Sequence, residues 1–156
     1  MFILKEDLGT ALYSYQIEEI TEGNDDIVLQ AIAAAETEVK SYLTANNKRE
    51  WRDGRLRYDV KKIFGQRGAE RNALLVSHTA TIAKWYIVDL CNADIIYQHA
   101  KERYDRAIEY LQKINKGEVS LGNIPTLQDT NQENPQKENI HNKPFSFGSR
   151  NKFNHE

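Results

Sequence analysis

A single cysteine, Cys91, excludes an intrachain disulfide and suits a reducing compartment. Proline is absent until Pro125, and the other two, Pro135 and Pro144, follow it into the C-terminal stretch. No run of roughly 18 or more apolar residues occurs, and Met1-Phe2-Ile3-Leu4 meets Lys5, Glu6 and Asp7 at once, so neither a transmembrane helix nor a secretory signal is expected. Catalytic spacings are equally scarce. His78, His99, His141 and His155 stand far apart, which excludes zinc-ligand spacing, and there is no G-x-S-x-G elbow. Gly65-Gln66-Arg67-Gly68 carries two glycines without a following Lys-Ser/Thr, so it reads as a turn and not a phosphate loop. Cys91 reads as a packing residue and His78 as a satisfied core or interface histidine. No cofactor, metal or enzymatic activity is expected.

What is present is charge, and it is segregated. The 156 residues balance 21 Lys and Arg against 23 Asp and Glu, for a net charge of -2. Residues 1–47 hold nine acids against Lys5 and Lys40, whereas residues 48–71 hold nine basic residues against four acids. The remaining stretches are balanced. Such asymmetry within one domain-sized chain predicts complementary surfaces, within the chain or between chains.

Hydrophobic spacing predicts an all-α fold. Leu8, Leu12, Ile17 and Ile20, broken by Gly9, predict two short N-terminal helices or turns. Asp25 and Asp26, read as a helix start and not as a cation site, precede apolar positions from Ile27 to Leu43 at spacings of three and four, a helix of about 18 residues. Residues 72–90 are apolar on most faces and predict the buried central helix, with His78, Lys84 and Asp89 ruling out a membrane span. A last amphipathic helix over residues 97–116 ends at Gly117, with Glu102–Arg106 and Glu109–Lys113 pairs on its outer face. The reading is a small helical bundle of three main helices over residues 1–121.

Two segments fall outside that pattern. Residues 44–71 read as a long protruding loop, anchored only where Tyr58, Val60, Ile63 and Phe64 suggest a short strand or one helical turn. Its cations, Arg49, Arg52, Arg55, Arg57, Lys61, Lys62 and Arg67 among them, interleave with Trp51, Tyr58 and Phe64. Three readings stay open: a solvated charged loop, an interface facing an acidic surface, or direct contact with nucleic acid. The acidic segment 1–47 favours the interface. Residues 122–156 read as a polar extended tail that the fold does not need. Three of the five phenylalanines, Phe145, Phe147 and Phe153, cluster near its end, which suggests either a docking peptide or a disordered terminus.

Three stretches resemble the small helical head–tail connector (head-completion, neck adaptor) proteins of tailed bacteriophages, in the Mu-like prophage branch. They are Leu56-Arg57-Tyr58-Asp59-Val60-Lys61-Lys62-Ile63-Phe64 running on to Arg71-Asn72-Ala73-Leu74-Leu75, Lys101 to Leu111 running on to Lys116-Gly117-Glu118-Val119, and the opening up to Ser41-Tyr42-Leu43. The likeness covers residues 1–121 in order, without one diagnostic motif. It implies a non-enzymatic virion protein of the neck, assembled in the bacterial cytoplasm as a homo-oligomeric ring of twelve. Its implied partners are the portal protein and a tail-attachment or stopper protein, with DNA passing non-specifically through the lumen and no membrane involved. The long connection and the tail are the implied contact elements. The alternative from another class is a small helical nucleic-acid-binding protein that uses residues 48–71 directly.

Overall fold

The computed structural model describes residues 1–10, 14–48, 55–91 and 97–127. A 3-10 helix, Lys5–Thr10, leads into α1 (Ser14–Thr21), α2 (Asp25–Asn47), α3 (Val60–Gly65), α4 (Ala73–Leu90) and α5 (Tyr97–Lys116), with one 3-10 turn at Gly68–Glu70. No strand occurs among the described residues; one isolated bridge joins Tyr58 to Thr126. The bundle is all-α.

Contacts between side chains fix the helix directions. His78 of α4 stacks on Tyr110 of α5 with ring centres 4.7 Å apart, while Trp85, two turns on, meets Tyr104 at 5.4 Å and Tyr97 at 5.0 Å. Ascending α4 therefore descends α5, so the two are antiparallel. On α2, Glu38 accepts hydrogen bonds from the hydroxyls of both Tyr86 (3.0 Å) and Tyr104 (2.9 Å), tying the three long helices at mid-height. Tyr58 then joins the C-terminal ends of α2 and α5: its backbone exchanges hydrogen bonds with the Asn47 amide, and its hydroxyl accepts from the Leu121 N–H. The order is up, down, up, with α4 central. Its Leu75, Ala80, Ile82, Ala83, Ile87 and Val88 are buried against α2, α5 and the N-terminal segment.

The helix predicted over about 18 residues runs for 23. Asn46 and Asn47 look like helix breakers in sequence, because free asparagine amides compete for backbone groups. Here both amides are occupied elsewhere: Asn46 donates to the Leu56 carbonyl at 2.7 Å and Asn47 to that of Tyr58 at 2.6 Å. The helix therefore continues to Asn47.

The same bonds correct the picture of a loop projecting from residue 44 onward. Within it, residues 55–71 lie on the bundle, with Tyr58 and Ile63 fully buried and Phe64 tilted against Phe2 at 4.8 Å. The anchor expected around Tyr58–Phe64 is present, as the short helix α3, capped by the Asp59 side chain. The body also extends past residue 121. Ile124 is buried, Asp59 N–H donates to the Pro125 carbonyl at 3.0 Å, and Leu127 N–H donates to that of Arg57 at 2.8 Å.

Candidate functional site

Several cations of residues 55–71 are spent on the fold, and two lysines are left to solvent. Arg55 reaches the end of α5, donating to the carbonyls of Asn115 (2.5 Å) and Lys116 (2.8 Å), where a helix leaves acceptors unpaired and its dipole favours a cation. Arg67 donates to the carbonyls of Phe64 and Gln66. Arg71 forms a two-pronged pair with Asp7, at 2.5 and 3.0 Å, and also donates to the Phe2 carbonyl. That guanidinium holds the Asp7 carboxyl below its ordinary range. Lys61 and Lys62, on the outer side of α3, are exposed and make no ion pair among the described residues. Arg57 is exposed as well.

The opposite end of the bundle is acidic. Residues 14–30 contain Glu18, Glu19, Glu22, Asp25 and Asp26 and no basic residue. Asn24 caps α2 by accepting from Asp26 N–H, and the two aspartates occupy the first turn, where the helix dipole favours them. Lys5 reaches Asp25 at 2.5 Å. Glu22 lies near Cys91 at the end of α4, and burial with that carboxylate pushes the thiol up. The carboxylates thus gather where α4 ends, whereas Arg55 and, through Tyr58, the start of α3 with Lys61 and Lys62 lie towards the ends of α2 and α5; Arg71 sits apart, beside Asp7 of the N-terminal segment. The two groups are separated by about the length of α2, roughly 35 Å.

Three further polar positions sit between these ends. Buried Glu36 accepts from Phe2 N–H and from Ile3 N–H, and pairs with Lys40, so it clamps the N-terminal segment to α2. Its place was legible: it stands four residues after Ile32 and three before Val39, a core-facing position occupied by an acid. His78 departs from expectation, because its Nε2 is buried without a hydrogen-bond partner, and burial lowers its pKa. Stacking on Tyr110 holds the neutral ring instead. Cys91 sits half-buried at the end of α4 rather than within its core.

The structure therefore brings Arg55, Arg57, Lys61 and Lys62 towards one end of the molecule, whereas Arg67 follows Phe64, which packs under Lys40 two turns before the end of α2. Arg49, Arg52 and the three tail phenylalanines Phe145, Phe147 and Phe153 lie outside the described residues. Of the two predicted α5 pairs, Glu109–Lys113 forms at 2.7 Å; the other ion pair on this helix joins Lys101 to Asp105. A hollow of about 420 Å³ beside Arg71, lined also by Gly68, Ala69, Ala73, Val76 and Ser77, offers no nucleophile–base pair. Among the described residues no cluster of three metal-ligating side chains occurs, and no helix is long and apolar enough to cross a membrane.

Comparison with known proteins agrees with the resemblance at the level of the phage family. A search of curated proteins and one of solved structures return no match. The model of the family described as "Bacteriophage Mu, Gp36" matches residues 3–141, which takes in every helix above, and the chain accordingly belongs to that Mu-type phage family.

Proposed function

We propose that the chain is a structural protein of the phage neck, which assembles as a ring, in twelve copies, between the portal and a tail-attachment or stopper protein. It lines or gates the DNA channel without catalysing a reaction, and its place is the virion after assembly in the host cytoplasm. Membership of the Mu Gp36 family supports a structural or morphogenetic role in a phage. The observation that carries the finer reading is the placement of opposite charge at the two ends of one rigid bundle. A closed ring needs two different surfaces on each copy, and this chain has them. A moderately basic rim also suits DNA in transit, since contacts to phosphate position a duplex without reading its sequence. Arg55, Arg67 and Arg71 are occupied inside the chain, which leaves fewer cations of residues 55–71 for phosphate.

Cryo-electron microscopy of the assembled particle tests this: density for this chain is expected at the vertex where head meets tail, and its absence there would end the proposal. The nucleic-acid-binding alternative is favoured by one observation, the exposed Lys61 and Lys62. It predicts a monomer that binds duplex DNA with an affinity falling steeply with salt. Light scattering beside a salt titration separates the two.

A further inference from the structure

The acidic end and the basic end each carry more than charge. On α1, Glu18 and Glu19 stand three and four residues after Tyr15 on one face, and Glu22 follows just past the helix end at Thr21 with a φ of 53°. All four are exposed, Tyr15 at 63%. At the other end, Leu56 is 43% exposed, and exposed Leu127 bonds through its N–H to the carbonyl of the next residue, Arg57. Lys61 and Lys62 follow on α3. Each edge is thus a small apolar centre with charge of one sign around it, the composition of an interface with a polar rim.

These edges cannot satisfy one another within one copy. They are separated by about 35 Å, the length of α2, several times the ~8 Å over which salt screens exposed charges. Each edge keeps carboxylates or ammoniums without a direct ion pair: Lys5 is taken by Asp25, while Glu18, Glu19 and Glu22 form no ion pair among the described residues, and neither do Lys61 and Lys62. A second copy of the same chain supplies both missing halves.

We infer that neighbouring copies meet head to tail, with Tyr15 and Glu18 of α1 and the adjoining Glu22 in one copy seated on Lys61, Lys62 and Leu56 of the next. This rests on the ring reading and names its contact. The contact is heterologous, so each copy keeps one edge free until the ring closes.

The test uses the full chain in two charge-reversed forms, Glu18→Lys/Glu22→Lys and Lys61→Glu/Lys62→Glu, with circular dichroism to confirm unchanged helix content at these exposed positions. Light scattering at rising concentration is expected to show the wild type assembling and each variant alone remaining at the 18.1 kDa monomer mass. Mixed in equal amounts, the variants should assemble again, because one now has two acidic edges and the other two basic edges, and they alternate. If both variants assemble alone as the wild type does, or if the mixture stays monomeric, the edge pairing is overturned while the ring reading stands. A lysine-reversed form that assembles normally but loses duplex-DNA binding overturns it too, and assigns the lysines to nucleic acid. A wild type that stays monomeric alone and with its portal overturns the ring reading, and the pairing with it.

Discussion

At the scale of single residues, the strongest electrostatic commitment in the described chain is Arg71 with Asp7, whose side chains are only 14% and 18% exposed. Removing one partner leaves the other poorly solvated, so Asp7→Asn should cost about 2–3 kcal/mol at neutral pH, less than a fully buried pair. The hydrogen bond from Arg71 lowers the Asp7 pKa, so its stabilisation is complete above the ordinary value of 3.8 and is lost as pH falls through the lower folded value. Urea unfolding across the acid range should therefore show a shallower loss of stability in Asp7→Asn than in the wild type. A second residue-scale prediction concerns Glu38. Burial, then the hydrogen bond to Glu38, pushes the Tyr86 hydroxyl up to about 12, and the same causes raise Tyr104. A raised folded pKa gives stability that is present below the unfolded value near 10 and lost as pH rises through the folded one. In a tyrosinate absorbance titration Tyr86 and Tyr104 should ionise late, as should Tyr110 through burial, and Glu38→Gln should bring only the first two part of the way back, since burial remains.

At the scale of elements, Tyr58 decides what belongs to the body. Its ring is buried between the ends of α2 and α5, and its hydroxyl accepts from Leu121, which draws the following residues onto the bundle. A chain ending at Leu127 should melt as cooperatively, and at the same temperature, as the full chain. Ending it at Leu121 strips buried Ile124 and the acceptor for the Asp59 N–H, at a cost of about 3 kcal/mol. Equal melting temperatures for the two truncated chains would show that residues 122–127 contribute nothing. Sequence pattern alone placed this boundary at 121 because six residues with one buried apolar side chain show no period, and their partners lie some 65 positions away.

At the scale of the whole molecule, charge and core make different demands on the solvent. The core is apolar, so raising salt from about 0.05 to about 0.5 M should leave the thermal midpoint of the monomer nearly unchanged. Assembly through exposed opposite charges should weaken over the same range, because screening shortens their reach. Self-association that is indifferent to salt in light scattering would point to an apolar contact in place of the charged edges.

The long helices were legible because each obeys a local rule: α4 is apolar nearly all round, α5 ends at Gly117, and acids open α2. Segregation of charge along the chain was equally plain from composition. Only the tertiary structure decided where that charge goes, since the docked helices bring Arg55 to the end of α5 and Arg71 to Asp7, and leave residues 14–30 at the other end. It also decided which cations remain outside. Arg55 and Arg71 find their partners about 60 residues away, on another element, and no local pattern encodes a contact made only after the helices have docked.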